Sequence, residues 1–167
     1  MRLFIAVQIS EEMRGALVRC MHELKKQGVE GNYVPAQNLH MTLAFIGEYD
    51  NLGHVKEILK KVPLPEFKMT LADKGNFGNV LWAGVKGNQR LKTYVKDLRS
   101  ALRVGGIPCD QETFIPHITL VRKSSAKKPY RIQIPKLEMT VKKVSLMKSE
   151  EQNGKVRYKE ICNIDKV

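Results

Sequence analysis

The tetrapeptide HMTL at 40–43 returns as HITL at 117–120, 77 positions later. On a strand, residues i and i+2 share a face. Each copy therefore turns a histidine and a threonine one way and two apolar side chains the other. Whatever fold the chain adopts must give both segments a core on one side and a polar space on the other. The same offset organises what lies upstream. Gly28 falls on Gly105, and each ends an amphipathic run. In the first run the apolar positions are Met13, Ala16, Leu17, Cys20, Met21 and Leu24, and in the second Leu91, Tyr94, Val95, Leu98, Ala101 and Leu102. Steps of three and four predict helices, with Glu11 and Glu12 at one N-terminus, Lys25 and Lys26 at the matching C-terminus, and a glycine after each last turn. A short apolar run precedes each, LFIAV (3–7) and VLWAGV (80–85), and both read as strands. Residues 3–44 and 80–121 thus align without a gap as strand–helix–strand. The identities are few (Ala6/Ala83, Val18/Val95, Gly28/Gly105, His40/His117, Thr42/Thr119, Leu43/Leu120) and alone amount to chance. The matched order of elements carries the duplication.

The other segments fill in around these units. LGHVKEILKKV (52–62) predicts a helix, and FKMTLADKG (67–75) a strand turning at Phe77-Gly78-Asn79 into VLWAGV as a hairpin. KLEMTVKKVSLMKS (136–149) alternates as one strand or two, and RKSSAKKPYR (122–131) reads as a basic loop. No linker divides the 167 residues, so the expectation is one α+β domain, 1–167, of two pseudo-symmetric lobes. The formal net charge is +12, and from Val121 to Val167 there are 13 Lys and Arg against 5 Asp and Glu, a net of +8. One end should be electropositive, a footprint for phosphate, with nucleic acid as first candidate and anionic membrane as second. Cys20, Cys109 and Cys162 are odd in number and widely spaced, which argues against a disulfide framework or zinc knuckle and for a reducing compartment. The opening MRLFIAVQIS is too short in its apolar part for a signal peptide or spanning helix, and a cytoplasmic, monomeric protein is expected.

If the motif strands flank the axis relating the two lobes, His40, Thr42, His117 and Thr119 face one cleft. Imidazole titrates near pH 6.5, so one ring can take a proton from water while the other gives one to a leaving oxygen. The hydroxyls can donate to phosphate oxygens. Which histidine is acid and which base stays open, since the motifs are related by symmetry. No cofactor is needed. A metal site is the rival reading, but neither motif offers a nearby Asp, Glu or Cys ligand, and none is expected. Histidines merely satisfied at strand ends are the bland alternative, weakened by two copies in register with threonines. His22 and His54 receive no role.

These residues are similar to a known family. The paired His-x-Thr-x motifs resemble the two-histidine phosphoesterase superfamily, and more closely the RNA 2′,3′-cyclic phosphodiesterases, also called 2′-5′ RNA ligases. RLFIAV, YVPAQNLHMTLAFIGE, NFGNVLWAGV, FIPHITLVR and SLMKSEEQNGKVRY carry the resemblance over nearly the whole chain. It implies a bilobal α+β fold, with antiparallel sheets lining a central cleft and helices outside. It implies hydrolysis of a 2′,3′-cyclic phosphate at an RNA end, or of a cyclic nucleotide, to a 2′-phosphate. In that scheme His40 is proton donor and His117 proton acceptor, and Thr42 and Thr119 hold the phosphate. Arg122 matches a basic position of the family, although strict alternation points it away from His117. Alternation likewise sends Phe45 to the core. Tyr33 and Phe114 are candidate base platforms. The competing readings are ligation, the reverse chemistry, and a non-catalytic module that binds RNA ends.

Overall fold

Two antiparallel sheets, each containing one strand–helix–strand unit, make up the computed structural model, which describes Met1–Val167. In chain order the elements are β1 (Arg2–Gln8), α1 (Glu11–Lys26), β2 (Glu30–Tyr33), a 3₁₀ turn (Ala36–Asn38), β3 (His40–Glu48), α2 (Leu52–Lys61), β4 (Phe67–Phe77), β5 (Val80–Lys86), α3 (Gln89–Val104), β6 (His117–Ser125), β7 (Glu138–Val141), β8 (Lys143–Gln152) and β9 (Lys155–Asp165). One sheet has four strands in the order β3-β1-β8-β9, the other five in the order β2-β6-β5-β4-β7. Strand β1 pairs with β3, and β5 with β6. The run 136–149 is therefore two strands in different sheets. The basic segment 122–131 is strand as far as Ser125, and β2 and β9 are additions the pattern did not predict.

The helices form where amphipathic periodicity meets a cap. Ser10, Asn51 and Asn88 each accept a backbone N–H from the first turn of α1, α2 and α3. The buried faces of α1 (Met13, Ala16, Leu17, Cys20, Met21, Leu24) and α3 (Leu91, Tyr94, Val95, Leu98, Arg99, Leu102) superpose at an offset of 78, not 77. The glycines with left-handed backbone after each helix are Gly28 (φ 86°) and Gly106 (φ 77°), the same offset. In the first strands the offset is 76, since Thr42 lies opposite Ala6 and Thr119 opposite Trp82. The repeat thus slips twice before the motif, by two residues between strand and helix and back by one between helix and motif. The slip also replaces Ala101 by Arg99 on the buried face of α3.

The helices dock crosswise. α3 packs against β3 of the other unit, and α1 against β6. A continuous apolar core runs through both units, from Leu3, Ile5 and Leu17 to Leu98, Ile118 and Leu146. Phe4, Ala6 and Met147 form a small separate cluster on the opposite face of β1, with Tyr158 packed on it. No helix is long and apolar enough to cross a membrane. Cys20, Cys109 and Cys162 are free thiols.

Candidate active site

The site begins with a backbone irregularity that occurs twice. In β3, Ala44 lies opposite Ile5 and Thr42 opposite Ala6, leaving Leu43 as an extra residue. In β6, Val121 lies opposite Leu81 and Thr119 opposite Trp82, leaving Leu120 extra. Each is a β-bulge, which inserts one residue and reverses the alternation beyond it. Leu43 and Ala44 are both buried, as are Leu120 and Val121. The next residue then returns to the face of the histidine and threonine. This overturns the expectation from strict alternation. Phe45 is not in the core: it is 37% exposed and lines a cavity of about 700 Å³ together with His40, Thr42 and Arg122. Arg122 shares that cavity because the second bulge turns it the same way.

The two imidazoles are held alike. His40 donates Nδ1–H to the Asn38 carbonyl at 2.6 Å, and His117 donates Nδ1–H to the Ile115 carbonyl at 2.6 Å. A carbonyl can only accept, so Nδ1 carries the proton and Nε2 is left for chemistry. Each ring is flanked by two aromatics. His40 lies 5.0 Å from Phe4 and 5.1 Å from Tyr158, and His117 lies 5.1 Å from Phe77 and 5.6 Å from Trp82. Strands β3 and β6 approach one another between the sheets. Burial holds the His40 imidazole below its usual range, and the positive charges of Arg122 and His117 add to the effect against the opposing Asn38 carbonyl.

The halves then diverge. His40 Nε2 is 2.9 Å from Thr42 Oγ1, whereas Thr119, half-buried on the face of His117, forms no side-chain hydrogen bond. Arg99 joins them. Its guanidinium, from a residue only 8% exposed, donates to the carbonyl of the bulged Leu43 at 3.0 Å and to that of Glu112 at 2.7 Å. It also meets Asp110 Oδ2 at 3.3 Å, while Asp110 Oδ1 accepts the Phe45 N–H at 2.8 Å. The segment leading to His117 is thereby fastened to the strand that carries His40.

Tyr33 lines a second cavity, with its hydroxyl donated to the Val29 carbonyl at 2.6 Å and Lys25 Nζ 4.6 Å over its ring. Phe114 is not brought to either cavity. It packs on the core with the Arg99 guanidinium 5.5 Å from its ring. His54 lines neither cavity and donates Nε2–H to the Gly105 carbonyl at 2.6 Å. The residues that sequence reasoning missed are Phe4, Phe77, Trp82 and Tyr158, the four rings around the imidazoles. Gly75, opposite Trp82, is the local signal for one of them: a Cβ there would come within 2.1 Å of the indole. Trp82 Nε1 is buried without a partner. No group of three or more His, Cys, Asp or Glu converges as metal ligands.

Two bulged strands presenting a His-x-Thr pair from each of two antiparallel sheets define a two-histidine phosphoesterase fold. The sequence matches the 2′-5′ RNA ligase superfamily over residues 11–153, and the chain belongs to that family. It is 34% identical over 131 residues to the RNA 2′,3′-cyclic phosphodiesterase of Thermotoga maritima, an alignment covering 73% of this chain and 70% of that protein. It is 33% identical over 131 residues to the protein of the same name from Escherichia coli, covering 74% and 73%. The crystal structure of E. coli LigT complexed with 3′-AMP superposes with a TM-score of 0.87 at 28% identity, covering 99% of this chain and 97% of that one.

Proposed function

We propose that this chain opens a ribose 2′,3′-cyclic phosphate at an RNA end and leaves the phosphate on the 2′ oxygen. A water oxygen bonds to phosphorus as the bond from phosphorus to the 3′ oxygen breaks. His117 Nε2 takes the water proton, and His40 Nε2 supplies one to the departing 3′ oxygen. Thr42, Thr119 and Arg122 donate to the non-bridging oxygens as negative charge grows there. The similarity to relatives named RNA 2′,3′-cyclic phosphodiesterase supports the reaction. The observation that carries the mechanism is the matched tethering of both imidazoles through Nδ1, which leaves the basic lone pair of each ring on Nε2.

The low proton affinity of His40 fits a group loaded by its substrate. The cyclic phosphate is an anion, and its arrival offsets the positive charge of Arg122 and His117. The ring then protonates where a strong acid is needed. Ligation of the same end to a 5′-hydroxyl would use the same groups in reverse, but water at ~55 M outcompetes a dilute hydroxyl.

The direct experiment incubates the protein with an oligonucleotide ending in a 2′,3′-cyclic phosphate, in strong chelator, and identifies which oxygen keeps the phosphate. A 2′-phosphate is expected, formed without added metal. A 3′-phosphate, or activity lost in chelator and restored by zinc, overturns the scheme.

A further inference from the structure

Next to the cavity that holds His40 lies a second one, about 1030 Å³ in volume. The two share Arg122, Val156 and Tyr158, which form the partition between them. The partition is fixed to the site itself. Asn38, whose carbonyl accepts from His40, donates its side-chain N–H to the Val156 carbonyl at 2.9 Å. The walls of the second cavity carry Lys25, Arg122, Lys155 and Arg157 against one carboxylate, Glu30. All four cations are exposed and none forms an ion pair, although Lys68, Lys148 and Lys166 elsewhere do. Unpaired cations gathered in a concave wall favour a polyanion.

Resting on the reading that a cyclic phosphate reacts beside His40, we infer that the second cavity binds the nucleotides preceding the reacting one. The preferred substrate is then an RNA strand of at least two nucleotides, and a cyclic mononucleotide is a poor one. The reacting nucleotide continues only through its 5′ oxygen, and each added residue brings one anionic phosphate. A mononucleotide fills the first cavity and leaves the cations of the second unused. A strand crossing the Arg122–Tyr158 partition meets Lys155, Arg157 and Lys25 with its next phosphates, and Tyr33 and Tyr158 offer rings beside its bases. Neutralised phosphates release counterions, so the advantage of the strand must weaken with salt.

The test compares kcat/KM for a cyclic mononucleotide and for a short RNA ending in a 2′,3′-cyclic phosphate. Wild type is compared with Lys155→Ala/Arg157→Ala and with Lys127→Ala/Lys128→Ala, a matched loss of charge beside a different cavity. All these side chains are exposed. Wild type should favour the RNA at least tenfold. The 155/157 pair should bring the ratio down to within about threefold and flatten the salt slope by about 1.4, at ~0.7 per phosphate contact on a single strand. The 127/128 pair should keep the wild-type ratio. Equal use of both substrates by wild type, or an unchanged ratio in the 155/157 variant, overturns the inference while the hydrolytic reading stands. Failure on both substrates overturns the reading and the inference with it.

Discussion

The two half-sites share a plan and differ in how finished they are before substrate arrives. His40 is half-buried between Phe4 and Tyr158, bonded to Thr42, and resistant to protonation. His117 has the same Nδ1 tether and the same two-ring setting, but Thr119 beside it makes no side-chain hydrogen bond. Two copies of one unit can therefore give different chemistry through what packs against each ring. The tether fixes the tautomer in both, and burial lowers the proton affinity of His40.

Removing either imidazole breaks the comparison most severely. His40→Ala and His117→Ala should each lower kcat by about 10²–10⁴ while the far-ultraviolet circular dichroism stays native. The residual rate of His117→Ala then tests the roles. If His40 is the acid, kcat/KM of that variant falls as pH rises through an ionisation of the free enzyme below 6.5, the ordinary value. A rate that climbs with pH over the same range reverses the assignment.

The link between the halves comes next. Arg99→Met leaves the Leu43 and Glu112 carbonyls and the Asp110 carboxylate without their partner, at an expected cost of about 3–5 kcal/mol in denaturant unfolding. Its counterpart in α1 at the offset of 78 is the apolar Met21, so Met21→Leu should cost under ~1.5 kcal/mol. Thr42→Val and Thr119→Val should each cost about 3 kcal/mol in kcat/KM as a donor to developing charge is lost. Only Thr42→Val should also move the His40 titration, read from the imidazole proton shifts in NMR, because only Thr42 touches a ring nitrogen.

The smallest effect concerns stability against pH. Folding lowers the proton affinity of His40, so the unfolded chain takes up a proton that the folded one refuses. That difference stabilises the protein above pH 6.5 and is lost as pH falls through the lower folded value. Wild type should lose melting temperature over that window, and His40→Asn should lose less.

Much of the fold was legible because its signals are local. The amphipathic helices, the hairpin at Phe77-Gly78-Asn79 and the faces of His40, Thr42, His117 and Thr119 followed from periodicity alone. The bulges did not. Leu43-Ala44 and Leu120-Val121 are apolar pairs, and such a pair reads equally as two faces of a flat strand or as one face of a kinked one. Everything downstream inherited that ambiguity, which is why strict alternation put Phe45 in the core and turned Arg122 away from the site. The uniform offset of 77 hid a slip of two residues between strand and helix and of one back before the motif, and it left Arg99 out of the buried face of α3. Tyr158 was invisible for another reason. Its strand, KVRYKEICNID, has exposed charged residues interleaved with apolar ones, and its ring reaches His40 only through the pairing of β9 with β8. Phe114 lies near the motif in sequence, yet the Arg99 guanidinium holds it elsewhere.

The sheets draw on both ends of the chain. β8 and β9, from the C-terminal end, complete the sheet of β1 and β3, while β2, from the N-terminal part, edges the sheet of β5 and β6. Neither half of the polypeptide owns a finished layer, so partial melting of one lobe strips strands from the other. The fluorescence of Trp82, the only tryptophan, should then track the same denaturant midpoint as a reporter placed on β1, with no half-folded species between.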